Sequence, residues 1–190
     1  FLETYRQAFG IYHAFHAHSL VTHTNQYAFE PHEKEQKLRC SLETMKTLAV
    51  MAEEANVNLL IENVGEPAHQ NVLYDQETFV ELFKQLPESA GALIDIGHAM
   101  VNTWNIHAVI DALGPRIRGY HIHNNDGTRD QHLPLFHPGL KYDRESMVKL
   151  LRHMEEKTPD SEWILEYAPG PHITPDAVRQ DMLEIVRCLK

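Results

Sequence analysis

Apolar positions along the chain follow two alternating rhythms. Short, nearly continuous apolar runs are separated by longer stretches in which apolar residues recur every three or four places. The clearest long stretch is 33–56, where Leu38, Leu42, Met45, Leu48, Ala49, Ala52 and Ala55 form one helical stripe. Further helices are predicted over 2–15, from Asp75 to Leu86, and over 103–113, 144–157 and 175–189. Asp75, Asp143 and Thr174 stand at predicted N-caps, and Pro175 takes the first helical position after Thr174. The compact runs 58–64 (Asn-Leu-Leu-Ile-Glu-Asn-Val) and 91–96 (Gly-Ala-Leu-Ile-Asp-Ile) suit strands buried on both faces. Shorter strands are predicted at 19–24, 116–123 and 162–167. This alternation implies βα units around a parallel sheet, within a single domain spanning 1–190. No linker or low-complexity tract divides it.

Composition narrows the picture. The 190 residues are 43% hydrophobic, enough for a sizeable core. A formal charge of −10 argues against sequence-blind attraction to nucleic acid or anionic lipid. Nucleic acid and membrane are therefore not expected partners, while a small molecule and a second copy of the chain are. Cys40 and Cys188 lie far apart and form no ligand spacing, so they read as free thiols of a reducing, cytoplasmic compartment. No secretory signal or long apolar span is visible. The chain opens at Phe1, inside a helical pattern and without an initiator Met, which suggests further sequence upstream.

The densest chemistry lies in 119–132, Gly-Tyr-His-Ile-His-Asn-Asn-Asp-Gly-Thr-Arg-Asp-Gln-His. Strand alternation sends His121 and His123 to one face, Asp126-Gly127 breaks the strand, and Asp130-x-His132 closes the loop. Carboxylate with imidazole is the ligand set of zinc, manganese and related divalent ions. A wider regularity supports this reading. Every predicted strand ends in a potential ligand or catalytic group: His23, Glu62, Asp95 with His98, His121 with His123, and Glu166. In parallel α/β folds, sites are built at that end of the strands. Helix capping explains one buried acid of this kind, but not a whole series.

Four segments, in order and one per βα unit, resemble the xylose-isomerase-like (β/α)8 superfamily of sugar-phosphate isomerases, ketose 3-epimerases and endonuclease IV. They are Leu-Ile-Glu-Asn ending at Asn63, Ile-Asp-Ile-Gly-His ending at His98, the run from His121 to Pro134, and Ile-Leu-Glu-Tyr ending at Tyr167. The resemblance runs from about His23 to the C-terminus. It implies a TIM-type barrel, N-terminally incomplete, because five βα units are visible where eight are expected. It also implies that Glu62, Asp95, His121 and Glu166 bind one divalent ion (zinc, manganese, magnesium or cobalt), with His123 the fallback for His121. Glu62 and Glu166 would further serve as the acid–base pair.

The endonuclease-like members use additional ions. Their motifs are similar to Asp95–His98, Asp130–His132 and, more loosely, His23, so His98, Asp130 and His132 are expected to hold a second ion or to contact substrate hydroxyls. Arg129 and Glu66 are expected substrate contacts. One departure concerns the loop, which reads Leu-Pro-Leu-Phe-His-Pro-Gly over 133–139 in place of the family's Pro-x-Gly-x-Gly. The expected activity is isomerisation or epimerisation of a sugar or sugar phosphate through an enediolate. The alternatives are a phosphodiesterase of the endonuclease IV kind acting on abasic DNA, and a chain that only binds metal or needs a partner to close its sheet.

Overall fold

The computed structural model describes residues 2–25, 29–65, 72–170 and 173–190. Five parallel strands, β1 (Leu20–His23), β2 (Leu59–Glu62), β3 (Gly91–Asp95), β4 (Ile117–Ile122) and β5 (Glu162–Leu165), lie side by side in sequence order. Each connection carries at least one helix back across the sheet, as parallel pairing demands. The helices are α1 (Leu2–Ala14), α2 (Lys34–Glu54), α3 (Gln76–Gln85), α4 (Ile96–Val101), α5 (Ile106–Leu113), α6 (Arg144–Lys157) and α7 (Pro175–Cys188). This is the α/β arrangement of part of a TIM-type barrel.

Burial follows the apolar pattern. Every residue of β2 and β3 is buried, whereas β5 at the sheet edge leaves Ile164 exposed. Met45, Leu48, Ala49 and Ala52 of the α2 stripe are buried, with Leu38, Leu42 and Ala55 packed beside them. Phe79, Val109, Ile110, Leu150 and Leu151 cover the sheet from α3, α5 and α6 with no exposed surface. Each such side chain is worth about 1.5–3 kcal/mol of transfer free energy. Asp75, Asp143 and Thr174 cap α3, α6 and α7 through their side chains, as predicted. Cys40 and Cys188 are free thiols. Among the described residues, no helix is long and apolar enough to cross a membrane.

One stretch departs from the sequence reading. The single helix expected over 103–113 begins only at Ile106, capped by Asn105, and a separate helix, α4, starts directly after β3. Thr103 adopts a φ of 58°, which breaks the two apart. The apolar run ending at Ile96 hid the junction. Asp95 closes β3 and also caps α4, its Oδ1 accepting from the His98 backbone N at 2.7 Å.

Candidate metal centre

Strand register explains why distant residues share one surface. His23 lies opposite Glu62, and Asp95 lies opposite His121. Glu62 faces Leu93 and His121 faces Ile164, so Asp95 and Glu166 each sit two residues beyond their neighbour's partner. Steps of zero or two residues preserve the alternation, and His23, Glu62, Asp95, His121 and Glu166 all leave the same face.

Glu62, Asp95, His121 and Glu166 each offer one ligand atom, and these atoms lie within 4.8 Å of one another. His121 Nδ1 is their common point, 3.0 Å from Glu166 Oε2, 3.1 Å from Glu62 Oε1 and 4.0 Å from Asp95 Oδ2. Bonds of ~2.1 Å to one ion place neighbouring donors ~3.0–3.4 Å apart. Two of the three distances fall in that range and Asp95 Oδ2, at 4.0 Å, lies just outside it, so the donor set suits a divalent cation. Its charge supports the same assignment. Glu62 is 2% exposed and Asp95 is fully buried, and two buried carboxylates with the half-exposed Glu166 beside them need compensating positive charge.

In the metal-free protein that charge comes from protons. Burial drags the His121 imidazole down, but hydrogen bonds to Glu166 and Glu62 overcome it and push the ring up to about 10. Burial likewise raises Glu62, and the opposing bonds from His121 and His23 hold it down at about 2. Glu166 is lowered, first by its bond to His121. Both glutamates are thus ionised at neutral pH.

A second group lies beside the first. His98, His123, Asp130 and His132 also offer ligand atoms within 4.8 Å of one another. Asp130 Oδ2 sits between His98 Nε2 at 3.1 Å and His132 Nε2 at 3.2 Å. His98 is pulled down by burial and lifted more strongly by Asp95 and Asp130, to about 9. His132 also reaches about 9, chiefly through Asp130. The second nitrogen of each ring is anchored: His98 Nδ1 donates to the Asn63 carbonyl at 2.9 Å, and His132 Nδ1 to the Glu166 carbonyl at 2.8 Å. These bonds fix the ring orientations and aim both Nε2 atoms at Asp130.

The remaining sequence candidates separate. His23 reaches Glu62 Oε2 at 3.2 Å from the β1 edge. His123 contacts Asp95 from within the core, its ring stacked on His132 with centroids 3.8 Å apart. Arg129 is exposed and pairs with Asp126 at 3.2 Å. Glu66 lies outside the described residues. Two further participants, Asn63 and Gly97, lie in the motifs quoted above but had no expected role of their own. Asn63 exchanges two hydrogen bonds with the Asp95 backbone, at 2.8 and 3.0 Å, and stitches the ends of β2 and β3 together. Gly97 leaves room for His123. Neither carries a charge, so its side-chain chemistry alone does not mark it as part of a metal centre. A groove of about 720 Å³ between α5 and α6, lined by His107, Arg144, Lys149 and Arg152, shares none of these residues.

Comparison with known proteins agrees with this architecture. An uncharacterised protein of Methanocaldococcus jannaschii, MJ1614, is 30% identical over 117 residues, which is 60% of this chain and 43% of that protein. A D-tagatose 3-epimerase-like protein superposes with a TM-score of 0.78 at 21% identity, over 97% of this chain and 67% of its own. The IolI protein, solved with a bound zinc atom, superposes with a TM-score of 0.67 at 18% identity, over 99% and 66%. The chain thus spans less than half of the first relative and about two-thirds of the solved ones. The profile of the xylose isomerase-like TIM barrels matches residues 1–185, and the chain belongs to that family.

Proposed function

We propose that the chain is the catalytic part of a divalent-metal-dependent isomerase or epimerase of a sugar or sugar phosphate, working by proton transfer through an enediolate. The observation that carries this reading is the convergence of Glu62, Asp95, His121 and Glu166 from four successive strands on one point. A bound divalent ion would polarise the substrate carbonyl and make the neighbouring C–H acidic. Asp95 and His121 serve as anchors, since both are held by the fold, one as a helix cap and the other by strand pairing. Glu62 and Glu166 come from strands on opposite sides of His121, and both are ionised. Once one of the two has taken up a proton from solvent, the ionised glutamate takes the proton from carbon and the protonated one returns its proton on the opposite face, so the pair ends with its single proton on the other carboxylate. His98, Asp130 and His132 line the neighbouring region, where they would hold substrate hydroxyls. Arg129, next to Asp130 in the chain, would supply the cation for a phosphate. The relatives described as a D-tagatose 3-epimerase-like protein and a zinc-bound IolI protein support the substrate class and the metal.

A second reading rests on the second ligand group. If His98, Asp130 and His132 load an ion of their own, the paired sites suit a phosphodiesterase of the endonuclease IV kind. Two measurements separate the readings. One ion per chain, with deuterium entering a ketose or ketose phosphate beside its carbonyl in heavy water, supports the isomerase. Two or more ions, nicking of abasic DNA and no exchange across the sugar panel would overturn it.

A further inference from the structure

His123 has no surface exposure, and its Nδ1 is buried without a hydrogen-bond partner. Its Nε2 is fully engaged, 3.0 Å from Asp95 Oδ1 and 3.1 Å from Asp95 Oδ2. The nearest oxygen of Asp130 is farther, at 3.8 Å. One ring nitrogen cannot both donate a hydrogen to Asp95 and present a lone pair to a cation. With hydrogen on Nε2, the partnerless Nδ1 holds only a lone pair, which costs less to bury than an orphaned N–H.

The surroundings are shaped for this ring. A Cβ on Gly97 would fall 1.9 Å from His123 Cε1 and 2.4 Å from each ring nitrogen, so the first turn of α4 admits the imidazole only because it lacks a side chain. The His132 ring closes the stack at an interplanar angle of 11°. Asp95 also accepts the His98 backbone N through Oδ1. His123 and the helix cap together immobilise the carboxylate and leave Oδ2 turned toward His121.

We propose that His123 is a positioning residue rather than a ligand: it donates Nε2–H to Asp95 and fixes that carboxylate for the cation held with Glu62, His121 and Glu166. The proposal rests on the metal-site reading above. Loss of a hydrogen bond to a metal ligand of this kind typically costs about 10- to 100-fold in affinity.

The test is competition of Zn²⁺ alone against a chelator, in an Asp130→Ala background that removes the carboxylate of the second group. His123→Leu should weaken Zn²⁺ by about 10- to 100-fold. His123→Gln, whose amide nitrogen reaches the place of Nε2 but is a poor zinc ligand, should restore binding to within a few-fold. Gly97→Ala keeps the imidazole but displaces it, so it should lose as much as His123→Leu, although alanine favours the helix. The visible spectrum of the Co²⁺-loaded protein should change with Leu and Ala and stay near wild type with Gln. Unchanged affinity in both His123→Leu and Gly97→Ala would overturn the positioning role alone, as would Gln failing as badly as Leu. A wild-type chain that takes up no stoichiometric Zn²⁺ would overturn the metal-site reading, and this role with it.

Discussion

The ring of His132 donates Nδ1–H to the backbone carbonyl of Glu166 at 2.8 Å, and the Ala168 N–H returns a bond to the His132 carbonyl at 2.9 Å. This pair of bonds ties the loop after β4 to the end of β5, and so links the two ligand groups. His132 holds a φ of 48°, a conformation that asparagine tolerates and alanine resists. His132→Asn can keep the donor near Nδ1 and suits the backbone, whereas His132→Ala loses the bond and leaves a residue less suited to the left-handed conformation. His132→Ala is therefore expected to weaken Zn²⁺ at the first group several-fold and to slow solvent exchange, with His132→Asn close to wild type. Equal behaviour of the two variants would show that the link carries no weight.

Glu166 and Asp95 differ in burial, and their variants should differ in kind. The Glu166 side chain is 44% exposed, and that of Asp95 is fully buried. Glu166→Gln removes a proton acceptor and should cost about 10²–10⁴-fold in exchange, with a smaller effect on metal affinity. Asp95→Ala removes a proposed ligand, a helix cap and the partner of His123, so affinity and stability should fall together. The cap contributes about 1 kcal/mol and the stranded buried donor about 1–3 kcal/mol. Isothermal titration with Mn²⁺, together with melting curves, measures both. If Glu166→Gln abolished binding while Asp95→Ala kept turnover, the assigned roles would be reversed.

Much of this was legible in the sequence because it depends on parity. Alternation places His121 and His123 on one face, and compact apolar runs ending in Glu62 and Asp95 mark parallel strands. Alternation does not reveal depth. His121 and His123 share a face and a residue type, yet His121 meets three carboxylates and His123 lies inside, against Asp95. That difference arises from the register between β3 and β4 and from the space above Gly97, both products of packing. The break between α4 and α5 was hidden for a related reason. Asp95 serves as strand end and helix cap at once, and the apolar run continued through Ile96 without a visible turn signal.

The charge balance of the two groups makes a prediction about pH. In the metal-free protein His121 is raised from 6.5 to about 10, and His98 and His132 to about 9. A group raised on folding contributes its full stabilisation below its ordinary value and loses it as pH climbs through the folded one. Glu62, lowered from 4.5 to about 2, contributes fully above 4.5 and loses that contribution as pH falls toward 2. The chelator-treated protein should therefore be most stable at roughly pH 4.5–6.5, and its Tm should fall from pH 6.5 to 9.5. A cation bound at the proposed site would take the place of histidine protons and release them, so affinity should rise by up to about tenfold per pH unit for each proton displaced. The Tm of the Mn²⁺-loaded protein should accordingly hold or rise over the interval in which the metal-free protein weakens. Melting curves taken with EDTA and with Mn²⁺ at pH 6.5, 8 and 9.5 decide the matter. Parallel curves would mean that the imidazoles at the strand ends do not exchange their protons for metal.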